Sequence, residues 1–171
     1  MARIDVLKGL RYTPEMFLKR MSKSKNLPDM TITHINTLYS LCWIFQFRVG
    51  LQATKKTRRY GGYYAGFDEV VMAPGKLAML PSSESQEVDD VCVLADKLTL
   101  EQALSQSWEY NKRGIMRKFK TLNAPPELDD YKCERMYKPL YVFEFHNLSN
   151  DEKKYKALDS LTGDLIDIGV N

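Results

Sequence analysis

Met136-Tyr-Lys-Pro-Leu-Tyr-Val-Phe-Glu-Phe145, followed by Lys154-Tyr-Lys-Ala-Leu-Asp-Ser-Leu-Thr-Gly-Asp-Leu-Ile-Asp-Ile168, is the stretch that decides the fold. It reads as an aromatic strand and a closing hairpin. A fainter copy stands in the first half: Leu38-Tyr-Ser-Leu-Cys-Trp-Ile-Phe-Gln-Phe47, then Tyr64-Ala-Gly-Phe-Asp68 and Gly75-Lys-Leu-Ala-Met-Leu80. Tyr39, Leu41, Trp43, Phe45 and Phe47 recur at period two, so 37–49 is a strand with one strongly apolar face. Shorter strands are expected at 63–68 and 76–80, with Pro74-Gly75 as the turn between them.

Outward from these strands, the two halves align in order. Val6-Leu7 falls against Cys92-Val93 and Thr13 against Thr99, both 86 residues apart. Tyr39, Trp43, Ile44, Phe45 and Phe47 fall against Tyr137, Tyr141, Val142, Phe143 and Phe145, 98 apart. Tyr64 and Asp68 match Tyr155 and Asp159 at 91, and Gly75 and Leu77 match Gly163 and Leu165 at 88. The offset changes only between segments, where loops absorb insertions. Kept order favours duplication over chance likeness of aromatic strands.

Each half also carries a helix signal. Thr13 caps a first helix with Pro14 at its first position, where a missing N–H costs nothing. Phe17, Leu18 and Met21 form its apolar face, and 26–28 ends it. Thr99 and Gln102 make a capping box for a second helix, whose apolar face runs from Leu100 to Phe119 with Gly114 as an interruption. Pro125-Pro126 ends it. The polar, acidic residues 82–90 read as a linker. The expectation is an α+β protein of two β-α-β-β modules, residues 1–81 and 91–171, each a helix packed on a small antiparallel sheet.

The later copy, Tyr155-x-x-x-Asp159-Ser-Leu-Thr-Gly163-Asp-Leu-Ile, resembles the end of a PepSY module. The resemblance covers Leu98 to Ile168 and is clearest toward the C-terminus. It implies a non-catalytic module that holds or inhibits a protein partner, in a family whose members often sit outside the cytoplasm. The first half departs from the pattern, with extra residues between Asp68 and Gly75 and no Thr before that glycine. Asp159, Thr162 and Gly163 also have a local reason to exist: Asp opens a turn and Gly takes its φ > 0 position.

Composition narrows the class. The chain is 44% hydrophobic and 11% aromatic, enough apolar mass to fold. Its 25 basic and 22 acidic residues leave a net charge of +3, too balanced to imply a nucleic-acid partner on its own. No apolar run is long enough for a membrane helix, and residues 1–10 lack a signal-peptide core. Cys42, Cys92 and Cys133 are odd in number and widely spaced, which points to a reducing cytoplasm. An extracytoplasmic piece of a longer parent would read the same at its start.

Two basic clusters are the candidate binding sites. Lys55, Lys56, Arg58 and Arg59 are flanked by Tyr60, Tyr63 and Tyr64, and interleaved cations and aromatics neutralise phosphates and stack on bases. A solvated hairpin tip also accounts for them. Lys112, Arg113, Arg117, Lys118 and Lys120 lie along the back half of the second helix, where complementing the helix dipole is the competing reason. His34 and His146 sit in no metal or nucleophile motif, and no phosphate-cradling glycine loop is present. No cofactor, metal or catalytic set is expected. The expected function is non-enzymatic protein binding, as a regulator or inhibitor. The alternative is a nucleic-acid-binding accessory protein using both basic clusters.

Overall fold

The computed structural model describes residues 1–24 and 29–169 of the chain. The elements run β1 (Ala2–Leu7), α1 (Pro14–Ser22), β2 (Met30–Gln52), β3 (Arg58–Asp68), β4 (Ala73–Leu77), β5 (Ser83–Val88), α2 (Leu100–Lys118), β6 (Glu127–Asn147), β7 (Glu152–Asp159) and β8 (Leu165–Ile168). Sheet therefore dominates, and the chain is not two helix-on-sheet β-α-β-β modules. By contacts it forms two compact units. The first holds Met1–Ser40, Ser82–Leu94 and Tyr137–Asn171; the second holds Leu41–Pro81 and Ala95–Met136.

In the first unit β1 pairs antiparallel with β5 and makes a parallel contact with β6 at Val6 and Tyr137. β6 continues antiparallel with β7, and β7 with β8. Thr13 caps α1 by accepting from the Met16 N–H, as its sequence implies. The stop expected at 26–28 lies outside the described residues. Phe17 is the one fully buried residue of α1, its ring 4.6 Å from Phe143 and 6.4 Å from Phe145. Leu158 completes that core cluster. Burying each such side chain contributes roughly 1.5–3 kcal/mol.

In the second unit β2 pairs antiparallel with β3, and β3 with β4. α2 packs on β3 and β4. Its start has the capping box read from Thr99 and Gln102, and Gly114 does not interrupt it. Phe45, Phe47 and Phe67 are buried, and the Trp108 ring stands edge-on to Phe47 at 5.6 Å.

Each helix thus rests on a hairpin from the opposite half of the sequence: α1 on β6–β7, α2 on β3–β4. This overturns the self-contained modules. The physical reason lies in the long strands β2 and β6: the part that pairs into a hairpin begins only at Cys42 and Leu140, so nearness in sequence does not bring a helix and the hairpin after it together.

The hairpins themselves repeat in register. Cys42 faces Asp68 in one and Leu140 faces Asp159 in the other, so both strands keep their offsets of 98 and 91. The turns match as well. Asp68 Oδ1 accepts from the Val70 and Val71 N–H groups, and Asp159 Oδ1 from those of Leu161 and Thr162. The Glu69 N–H donates to the Leu41 carbonyl as the Ser160 N–H does to that of Pro139. Phe67 faces Pro74 and Leu158 faces Leu165, again 91 apart. Pro74 and Gly75 therefore lie within β4 rather than forming the turn, which is made by 69–72. Ser83–Val88, inside the polar stretch 82–90, is strand β5.

Candidate functional site

α2 builds one wall of a charged concave surface of the second unit. Its buried face carries Ala103, Ser107 and Ile115, and Glu101 in the first turn and Arg117 and Lys118 in the last suit the helix dipole. Gln106, Tyr110, Arg113 and Arg117 follow at i, i+4, i+7 and i+11, the spacing of one helical stripe. That stripe lines a groove of about 530 Å³ whose other wall is Tyr63 of β3 with Pro74 and Lys76 of β4. Burial pushes the Tyr63 phenol up, so it stays a neutral hydrogen-bond donor.

The lining includes four cations, Lys76, Arg113, Arg117 and Lys118, against one carboxylate, Glu109. Among the described residues no carboxylate lies within ion-pair distance of those four. Two polar atoms on the sheet-facing side of α2, Ser107 Oγ and Asn111 Nδ2, are buried without a hydrogen-bond partner. Asn111 also lines the groove. The uncompensated cations favour an anionic occupant.

The other expected cluster is differently placed. Lys55 and Lys56 sit exposed in the turn between β2 and β3, and Arg58, Arg59 and Tyr60 open β3. Arg58 donates to Glu127 at 2.9 Å, and Arg48 lies 3.5 Å from Asp129. The Arg48 guanidinium also covers the Tyr60 ring at 4.3 Å. Carboxylates of β6 thus offset part of the hairpin's charge. Of the residues in the two expected clusters, Tyr63, Arg113, Arg117 and Lys118 line the α2 groove; Lys55, Lys56, Arg58, Arg59, Tyr60, Tyr64, Lys112 and Lys120 do not.

Sequence reasoning missed Lys76 and Asn111, placed Tyr63 with the basic hairpin rather than against α2, and read Gly114 only as a helix interruption. The i, i+4, i+7, i+11 stripe was available as a signal for the helix side. Lys76 reaches the groove only through β3–β4 pairing, where it faces Ala65. Two buried polar networks were also missed. The Glu69 carboxylate, 2% exposed, accepts from Trp43 Nε1 at 3.2 Å and from the Lys97 N–H, tying the first turn to the segment before α2. In the first unit Lys138 Nζ lies 2.5 Å from Asp159 Oδ2, with both side chains buried.

Among the described residues no group of three or more His, Cys, Asp or Glu is placed to hold a metal. No helix there is long and apolar enough to cross a membrane. The groove is built on one helix and two strands. Comparison of the chain with family models, with curated proteins and with solved structures returns no match.

Proposed function

We propose that this protein is a non-enzymatic protein-binding module, a regulator or inhibitor, which docks an acidic segment of its partner in the α2 groove. The observation that carries the reading is the set of four groove cations faced by a single carboxylate. Such a field recruits an acidic partner and specifies it more than it adds raw affinity. The PepSY-like end of the chain belongs to the same proposal, since that resemblance implies a module that holds protein partners. The odd and widely spaced cysteines support a cytoplasmic setting, in contrast to many members of that family.

Nucleic-acid binding through the hairpin is the second reading, supported by the exposed Lys55, Lys56 and Arg59 beside Tyr60. The carboxylates of Glu127 and Asp129 weigh against it, because a phosphate backbone would be repelled there.

One experiment separates the two. The tagged chain is used to capture partners from host lysate with and without nuclease, beside Arg113→Glu/Arg117→Glu and Lys55→Glu/Lys56→Glu variants. A stoichiometric protein that survives nuclease, is lost with the helix variant and is kept with the hairpin variant supports groove docking. Capture that depends on nucleic acid and on the hairpin overturns it.

A further inference from the structure

We infer that the α2 groove takes its acidic segment as an extended strand with carboxylates at every second residue, its backbone passing over Gly114. The inference rests on the groove being the docking surface and adds the conformation and residue pattern of what docks there.

Spacing carries the first part. Arg113 and Arg117 are four residues apart on α2, an axial rise of about 6 Å. Same-face side chains of an extended chain recur every about 6.6 Å. Two acidic residues separated by one other therefore meet the two guanidiniums in step, whereas adjacent acidic residues point to opposite sides. From Gln106 to Arg117 the stripe spans about 16 Å, the length of about five extended residues.

Gly114 carries the second part. It sits within α2, where glycine costs about 1 kcal/mol relative to alanine. Its φ is not positive, and an added Cβ would meet nothing within 4 Å. Neither backbone conformation nor packing asks for glycine at this place. Its effect is a bare stretch of groove floor between Arg113 and Arg117, over which another backbone passes closely.

The test uses the full chain, ¹⁵N-labelled, titrated with three capped threonine pentapeptides. One carries aspartates at its second and fourth positions, one carries two adjacent aspartates, and one has asparagines in place of the alternating pair. The alternating peptide is expected to shift the Arg113, Gly114 and Arg117 amides and to bind roughly fivefold more tightly than the adjacent pair. Gly114→Leu is expected to abolish those shifts while leaving the spectrum away from α2 intact; Gly114→Ala serves as the milder variant that keeps the fold. Equal affinity for alternating and adjacent aspartates overturns the extended register and leaves acidic docking standing. Shifts outside the groove, or none with either acidic peptide, overturn both.

Discussion

Met72 and Gly163 hold the same place in two copies of one turn, with φ of 56° and 79°. The N–H of each donates to the carbonyl of its turn's aspartate, Met72 to Asp68 at 2.8 Å and Gly163 to Asp159 at 2.9 Å. Only one copy has the residue that this conformation favours, because a left-handed geometry strains any residue with a Cβ. Met72→Gly is expected to stabilise the protein by about 0.5–1 kcal/mol. Gly163→Ala is expected to cost about 2–4 kcal/mol, since the added Cβ would also fall 2.6 Å from the Tyr12 ring. Urea unfolding of both variants checks this; a destabilised Met72→Gly would contradict the strain.

Gly114→Ala is expected to raise stability by about 0.5–1 kcal/mol. The helix gains a better former, and the new methyl enters open space. The midpoint of thermal or urea unfolding reads it directly. An unchanged or lowered midpoint would mean that Gly114 serves the fold rather than the groove.

Cys133 is held protonated. Burial raises its thiol to about 11 from an ordinary 9.0, outweighing the opposing Arg135 charge. At pH 8 the thiolate fraction is roughly a hundredfold below that of an ordinary cysteine, so alkylation is expected to slow to a similar degree. The sign for stability follows from linkage. A thiol whose folded value is raised binds its proton more tightly when folded, so its contribution is complete below pH 9 and is lost as pH rises toward 11. Iodoacetamide labelling read by peptide mapping at pH 8 tests it; labelling of Cys133 as fast as in the urea-unfolded chain would refute the burial.

Local chemistry was legible in the sequence, and long-range placement was not. Thr99 with Gln102, and Thr13 before Pro14, fixed both helix starts because capping acts within one turn. Asp68 and Asp159 aligned the hairpins correctly, since both turns are made by the aspartate side chain itself. Gly75 is no guide to the first turn, because the φ > 0 place there belongs to Met72. The start of β2 was hidden because 31–36 shows no apolar alternation and is largely exposed. The exchange of helices between halves left no local trace at all. The site followed the same division. Arg113 and Arg117 were visible as a charged helix face, but Lys76 joins them only through strand pairing.

Lys138 and Asp159 form a buried pair, 0% and 1% exposed, at the base of the second hairpin's turn. Asp159 is doubly committed: Oδ1 holds the Leu161 and Thr162 N–H groups while Oδ2 holds the ammonium. Removing the cation alone strands a carboxylate out of reach of water, and breaking such pairs costs about 3–5 kcal/mol. Lys138→Met is therefore expected to destabilise by that amount. Asp159→Asn keeps an oxygen for the two N–H groups and removes the charge that needs a partner. The double variant Lys138→Met/Asp159→Asn is accordingly expected to recover at least half of the loss, a coupling that a cycle of single and double variants measures by chemical denaturation. Additive losses across the cycle would mean that Lys138 acts through its packing and not through Asp159.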